Sequence, residues 1–340
     1  MRLCVGTSKG IVILDPDRVG APLMVLADPS SIWCMAQDCR DPNLIYAGAT
    51  AYGHMGGSRG AIALSRSTDG GRSWTDITPR GIREEDIWAL ATQPDAPNEV
   101  FIGTPHARLF KSLDRGRTFE ECRGFLDVPG RERWSFPVPP HLPHVRSISF
   151  DPSDPSIMYV GVEEGGVIRS RDRGCSFELL NHGIYTDIHC VAVDPRASRM
   201  LYATTGGGFY RSENGGASWR QTTNGLTRSY TVALAVHPRI DGIVYTAAAA
   251  GPPPTWSTNV NGADAMLFRS LDRGQSFHPI AAQGGPMRGM VMRIVQSPVN
   301  SDELFLVATD GTVMRSRDCG DSFIAIATKL PPAYDLVTIP

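Results

Sequence analysis

Residues 170–177 read Ser-Arg-Asp-Arg-Gly-Cys-Ser-Phe, and the same frame returns along the whole chain. The pattern Ser-x-Asp-x-Gly-x-Ser/Thr-Trp/Phe occurs six times. Its copies are Ser67-Asp69-Gly71-Ser73-Trp74, Ser112-Asp114-Gly116-Thr118-Phe119, Ser170-Asp172-Gly174-Ser176-Phe177, Ser212-Asn214-Gly216-Ser218-Trp219, Ser270-Asp272-Gly274-Ser276-Phe277 and Ser316-Asp318-Gly320-Ser322-Phe323. The Asp or Asn positions lie about 45, 58, 42, 58 and 46 residues apart, in the range of a four-stranded propeller blade. Local chemistry gives each copy a job. The Asp or Asn oxygen is expected to accept from backbone N–H groups two residues on, as in an Asx turn. Glycine supplies a positive φ, the Ser or Thr hydroxyl ties the turn to the next strand, and the aromatic ring plugs the sheet beneath. Each copy is a strand–turn–strand clasp. A calcium loop would need several carboxylates where each copy offers one.

The flanks of the third copy repeat as well. Residues 145–152, VRSISFDP, alternate as a strand and end in an Asp-Pro turn. They are followed by IMYVGV (157–162), GVIRSRD (166–172) and SFELL (176–180). The same order surrounds the other copies, four strands A to D per unit, with no helical period between them. Two ends remain. Residues 2–8, 9–17 and 22–27 match strands B, C and D without an A, and residues 334–340 match strand A alone. The expected fold is all-β, a seven-bladed β-propeller with four antiparallel strands per blade, one domain over residues 1–340. Its seventh blade is closed by N-terminal strands B–D and C-terminal strand A, a device that removes open sheet edges.

Composition agrees and excludes several function classes. The 35 glycines and 26 prolines punctuate many short strands. With 33 Lys and Arg against 35 Asp and Glu, the net charge is −2, so no nucleic-acid partner is expected. No window approaches 18 uncharged apolar residues, so no membrane partner is expected. Lys9 and Gly10 break the first apolar run and no small-residue cleavage site follows, which argues against a signal peptide. The seven scattered cysteines contain no CxxC pair, which favours a reducing, cytoplasmic setting over a zinc ribbon or a disulfide framework. A monomer or a weak homo-oligomer is expected.

The six motifs resemble the Asp-box (BNR) repeat of sialidases, sortilin-type receptors, xyloglucan-hydrolysing propellers and photosystem assembly factors. The resemblance covers residues 30–326, five copies carrying Asp and one Asn214. Sialidases of this repeat family carry an Arg-Ile-Pro segment, which this chain lacks, so sialidase activity is not expected. Xyloglucan-type hydrolases place two opposed carboxylates between two propellers, and this chain supplies one propeller.

Chain direction sorts the loops. Asp-box and Asp-Pro turns fall on one rim, whereas the B-to-C and D-to-A connections, with insertions at 50–60, 122–143 and 249–265, surround the mouth of the central channel. Strand A begins there with Trp33, Trp88, Arg146, His189, Val232, Met292 and Tyr334. Two residues earlier stand Ser31, Asp86, His144, Asp187, Tyr230, Met290 and Pro332, and the B-to-C loops add Tyr52, His54, His106, Glu163, Glu164, Trp256 and Asp310. His189 titrates near neutrality, with Asp187 or Asp86 to orient it or act as a second acid–base group; these three are the catalytic candidates. Arg146 offers a planar fork for a carboxylate or vicinal hydroxyls, and Trp33 and Trp88 offer flat walls. His144, Tyr230, Glu163 and Tyr334 complete the substrate-binding set. Set against this, Trp33 and Trp88 can serve as blade packing, and Arg146 can pair with Asp86 or Asp187 for structure alone. No cofactor is identified; for a metal ion, His144, His189, His54 and His106 are the ligand candidates. The expected function is binding of a polar, sugar-like or carboxylate-bearing small molecule at the channel mouth, with hydrolase or lyase chemistry. The alternative is a non-catalytic scaffold recognising a peptide or partner protein, since the fold hosts both.

Overall fold

The innermost strands of seven sheets close a ring. They are Ile32–Gln37, Ala89–Thr92, His144–Phe150, Ile188–Asp194, Tyr230–Val236, Val291–Gln296 and Ala333–Ile339, each in contact with the next and the last with the first. The computed structural model describes residues 1–18, 22–27, 31–50, 62–82 and 85–339. Each sheet runs outward from its strand A through antiparallel partners B, C and D, as the sequence predicts. The protein is a seven-bladed β-propeller. We number the blades from that of Ile32–Gln37.

The seventh blade is built from both ends of the chain. Ala333–Ile339 pairs with Arg2–Thr7 in the register Leu336↔Val5 and Val337↔Cys4, and Gly10–Leu14 and Leu23–Leu26 follow outward. Every residue of Ala333–Ile339 is buried, so the closure is a hydrophobic seam as well as a ladder. The sixth blade differs from expectation. Ala281–Ala282 pairs in parallel with Ser322–Ala327 and adds a fifth strand, because the connection from the fifth blade lies along that outer edge and caps it.

The Asp-box turns hold themselves together by a scheme tighter than an Asx turn. Asp172 Oδ1 accepts from the backbone N–H groups of Cys175 and Ser176, at 3.0 and 2.8 Å, three and four residues on rather than two. The cause is the left-handed pair Arg173 (φ 57°) and Gly174 (φ 85°), which curls the following N–H groups back onto the carboxylate. The Ser176 hydroxyl donates to Asp172 Oδ2 instead of tying the turn to the next strand, and Gly174 N–H donates to Ser170 Oγ at 2.8 Å. Arg173 N–H also donates to Ser156 O, so the C-to-D and A-to-B turns share one rim. Partial burial opposes ionisation of Asp172, yet the Ser176 and Ser170 hydrogen bonds hold its carboxyl at about 2. Its stabilising effect is therefore complete above the unfolded value of about 4 and is lost as pH falls through 2. Asp172→Ala should cost about 1–2 kcal/mol in a urea titration at pH 7 and leave the opposite rim unchanged.

Candidate functional site at the channel mouth

A shared backbone irregularity positions the mouth residues. Along strand A of the first blade, Ile32 faces Ala49 and Cys34 faces Gly48, so Trp33 is an extra residue without a partner on strand B. The same bulge isolates Arg146 between Val145 and Ser147, His189 between Ile188 and Cys190, Met292 between Val291 and Arg293, and Tyr334 between Ala333 and Asp335. In the fifth blade it falls at Val232 and Ala233, and Trp88 stands just ahead of Ala89 in the second. A bulge turns the extra side chain out of the sheet alternation and here aims it at the axis. The neighbour of the bulge packs inward instead. A Cβ on Gly161 would lie 2.7 Å from Ile188 Cγ2, so glycine there lets the third blade close against the fourth beside His189.

Two connected spaces result. The channel, about 400 Å³, is lined by the A strands of all seven blades. Above it lies a vestibule of about 290 Å³. Its walls are Trp33, Trp88, Tyr230, Val232 and Met292, with Phe136, Pro137 and Val138 from one insertion and Pro252, Pro253, Pro254 and Trp256 from another. Its polar groups are Arg146, Glu163, Asp187 and His189. Rings form a belt around it: Tyr334, Trp33 and Trp88 at 4.9 Å centroid spacings, Trp88 stacked on His144 at 4.2 Å, and His189 beside Tyr230 at 4.8 Å.

Inside the belt the charges are buried and close. Arg146 lies over Trp33 at 4.7 Å and over Trp88 at 5.5 Å, with Nε 3.6 Å from Glu163 Oε2. His144 Nδ1 is 3.6 Å from the same oxygen. His189 Nε2 faces Asp187 Oδ1 at 3.5 Å, and its Nδ1 contacts the Thr231 carbonyl at 2.6 Å. A carbonyl only accepts, so His189 Nδ1 carries a proton and donates it. Among the described residues, Glu163 Oε2, Asp187 Oδ1, His189 Nε2 and Arg146 Nε are buried without a hydrogen-bond partner. Burial raises the Glu163 pKa, but His144 and Arg146 outweigh it and hold Glu163 ionised. Burial works against charge on His189, and Asp187 followed by Glu163 overcomes it, so the imidazole titrates above its ordinary value. Glu164, in the turn beside Glu163, is pushed up to about 7 by burial and by Asp187 and Glu163.

No family model matches the chain. A xyloglucanase of Hypocrea jecorina (strain QM6a) is 23% identical over 287 residues, 83% of this chain and 29% of that protein. A probable oligoxyloglucan-reducing end-specific xyloglucanase of Neosartorya fischeri is 29% identical over 153 residues, 43% of this chain and 17% of that protein. The chain thus spans less than a third of these curated relatives. Among solved structures, the GH74 xyloglucanase from Xanthomonas campestris superposes with a TM-score of 0.71 at 17% identity, covering 95% of this chain and 52% of that one. YCF48 bound to D1 peptide superposes with a TM-score of 0.60 at 15% identity, covering 92% of this chain and 88% of that one. Both structural likenesses show the fold.

The structure brings most of the sequence-derived candidates together. Trp33, Trp88, Arg146, Glu163, Asp187, His189 and Tyr230 all line the vestibule, Tyr334 lines the channel below it, and His144 stacks behind Trp88. Other expectations fail. Arg146 meets Glu163 rather than Asp86 or Asp187, because the bulge and the end of strand B in its own blade put those two side by side. Asp86 is half-buried and does not line the vestibule. His106 is exposed at φ 59° in a separate depression with Arg131 and His141, so it cannot join a metal site at the mouth. Tyr52 and His54 lie outside the described residues. Trp33 and Trp88 are not bare walls either, since the Arg146 guanidinium covers their faces. Phe136 and the Thr231 carbonyl carry no signal in the sequence. Phe136 lies in a long insertion whose internal folding has no periodic signal, and a backbone carbonyl leaves no trace in residue type.

Proposed function

We infer that the protein is a hydrolase that takes a small sugar-like substrate in the vestibule, acting on a glycosidic bond. The observation that supports this reading is an aromatic-walled pocket whose floor presents Glu163 Oε2, Asp187 Oδ1 and His189 Nε2 buried without hydrogen-bond partners. Buried polar atoms of that kind are costly unless a ligand completes them. Tyr230, Trp256 and Phe136 supply apolar faces for a ring, while Asp187 and His189 move protons and Glu163 supplies a fixed negative charge. The xyloglucanase names of the curated relatives point to the same substrate class.

A panel of p-nitrophenyl glycosides and xyloglucan-derived oligosaccharides tests the reading. Turnover of at least one member is expected, with kcat reduced by about 100-fold or more in Asp187→Asn while the melting transition stays cooperative. A folded protein that hydrolyses none of them and binds none contradicts it. The scaffold reading has one observation in its favour: the chain covers most of a peptide-bound propeller. Under that reading, affinity for a peptide would depend on Trp256 and Phe136 and no turnover would exist to lose.

A further inference from the structure

The floor of the vestibule contains three donors of the kind that hold a metal ion. Glu163 is the last residue of strand B (Met158–Glu163) of the third blade, and Asp187 and His189 stand at the entry to strand A of the fourth. One donor atom from each lies within 4.8 Å of the other two. His189 Nε2 and Asp187 Oδ1 are 3.5 Å apart. Two ligands at about 2.1 Å from a tetrahedral ion stand about 3.4 Å apart, so this edge is already set.

The tautomer of His189 gives the independent argument. Its Nδ1–H is committed to the Thr231 carbonyl at 2.6 Å, so in the neutral ring the Nε2 lone pair points at the carboxylates. His189 is 5% exposed, and Nε2 has no hydrogen-bond partner. A lone pair held against carboxylate oxygens is repulsive unless a proton or a metal cation lies between them, and the two compete for the same position. A backbone carbonyl on the far nitrogen is also the usual support of a metal-bound histidine. His144, at 3.6 Å from Glu163 Oε2, supports the second ligand.

A second trio of donors shows the contrast. His237, Asp302 and Cys319 are as closely grouped on the opposite rim. There His237 Nδ1 accepts from the backbone N–H groups of Arg239 and Ile240, at 3.1 and 2.8 Å. The proton of that neutral ring therefore sits on Nε2, the atom facing the trio, and no lone pair is offered. Side-chain identity is similar in both places, and only the mouth trio has the tautomer that binds.

The geometry points to a divalent transition-metal site formed by Glu163, Asp187 and His189. One imidazole nitrogen with two carboxylates suits zinc or manganese and is a poor match for the all-oxygen shells of magnesium or calcium. Three protein ligands leave a position open, and here it faces the vestibule, where a water or a substrate oxygen can complete the ion. Arg146, also near Glu163, opposes the ion electrostatically, and Glu164 favours it. The inference shares its residues with the hydrolase reading but not its test.

Tag-free protein stripped with EDTA and dialysed is titrated by calorimetry with zinc, manganese and magnesium ions separately. Binding of one equivalent of zinc or manganese is expected at micromolar affinity or better, with magnesium far weaker. Asp187→Asn and His189→Gln should each lower the affinity by about 100-fold or more. Imidazole nitrogen NMR should report the change at Nε2 of His189 while Nδ1 stays protonated. If His189→Gln does not fold, Asp187→Asn and Glu163→Gln carry the comparison. Folded wild-type protein that binds neither ion overturns the inference, as does binding that both carboxylate variants leave unchanged. Metal binding without glycoside turnover keeps this site and removes the hydrolase reading; turnover by stripped protein that takes up no metal does the reverse.

Discussion

Deletion of residues 333–340 is expected to leave no cooperatively folded monomer. The deleted strand buries Tyr334, Leu336, Val337 and Ile339 and pairs along the length of Arg2–Thr7. At about 1.5–3 kcal/mol for each large apolar side chain, the loss is at least about 6 kcal/mol before unpaired backbone is counted. That is comparable to the whole stability of many domains. The exposed edge of Arg2–Thr7 should then recruit other chains, so aggregation accompanies the loss. Circular dichroism melting and light scattering measure both. A circular permutant that joins the old termini and opens elsewhere on the Asp-box rim should fold, because the seam remains. A truncated chain that melts like the intact one would disprove the closure.

Arg146→Ala is the second large effect. The guanidinium stands beside ionised Glu163 and fills the space over Trp33 and Trp88. Its removal leaves a buried carboxylate balanced by His144 and, more weakly, His189, and uncovers two indole faces. Breaking a buried pair in this way costs about 3 kcal/mol. Much of that cost is the stranded charge, so Glu163→Gln in the Arg146→Ala background should recover part of it, and chemical denaturation of the four proteins in the cycle gives the coupling. Additive losses would show that Arg146 acts through packing on the tryptophans alone. Arg146→Lys should not rescue fully, since a compact ammonium lacks the planar surface that lies on the rings.

The fold was legible because its instructions are local. An Asp-box lies within eight consecutive residues, and the hydrogen bonds of its carboxylate and hydroxyls join atoms at most four residues apart, so Asp172 and its counterparts announce six of the C-to-D turns in the sequence itself. Counting those turns, with the orphan strands at either end, fixes seven blades and the closure between residues 2–8 and 334–340. Chain direction then assigns each connection to a rim, which is why Trp33, Arg146, His189 and Tyr334 were already at the mouth. The sequence could not say how they meet. Their aim depends on bulges, which are set by the register of each strand A against its own strand B and carry no residue signature at Trp33, Arg146 or His189. The pairing of Arg146 with Glu163 depends on the register of two strands within the third blade, and the isolation of His106 and the Thr231 carbonyl beneath His189 depend on how neighbouring elements pack. Those are long-range distances, resolved to fractions of an ångström only when the ring closes. At the mouth, those distances decide whether a histidine offers a proton or a lone pair.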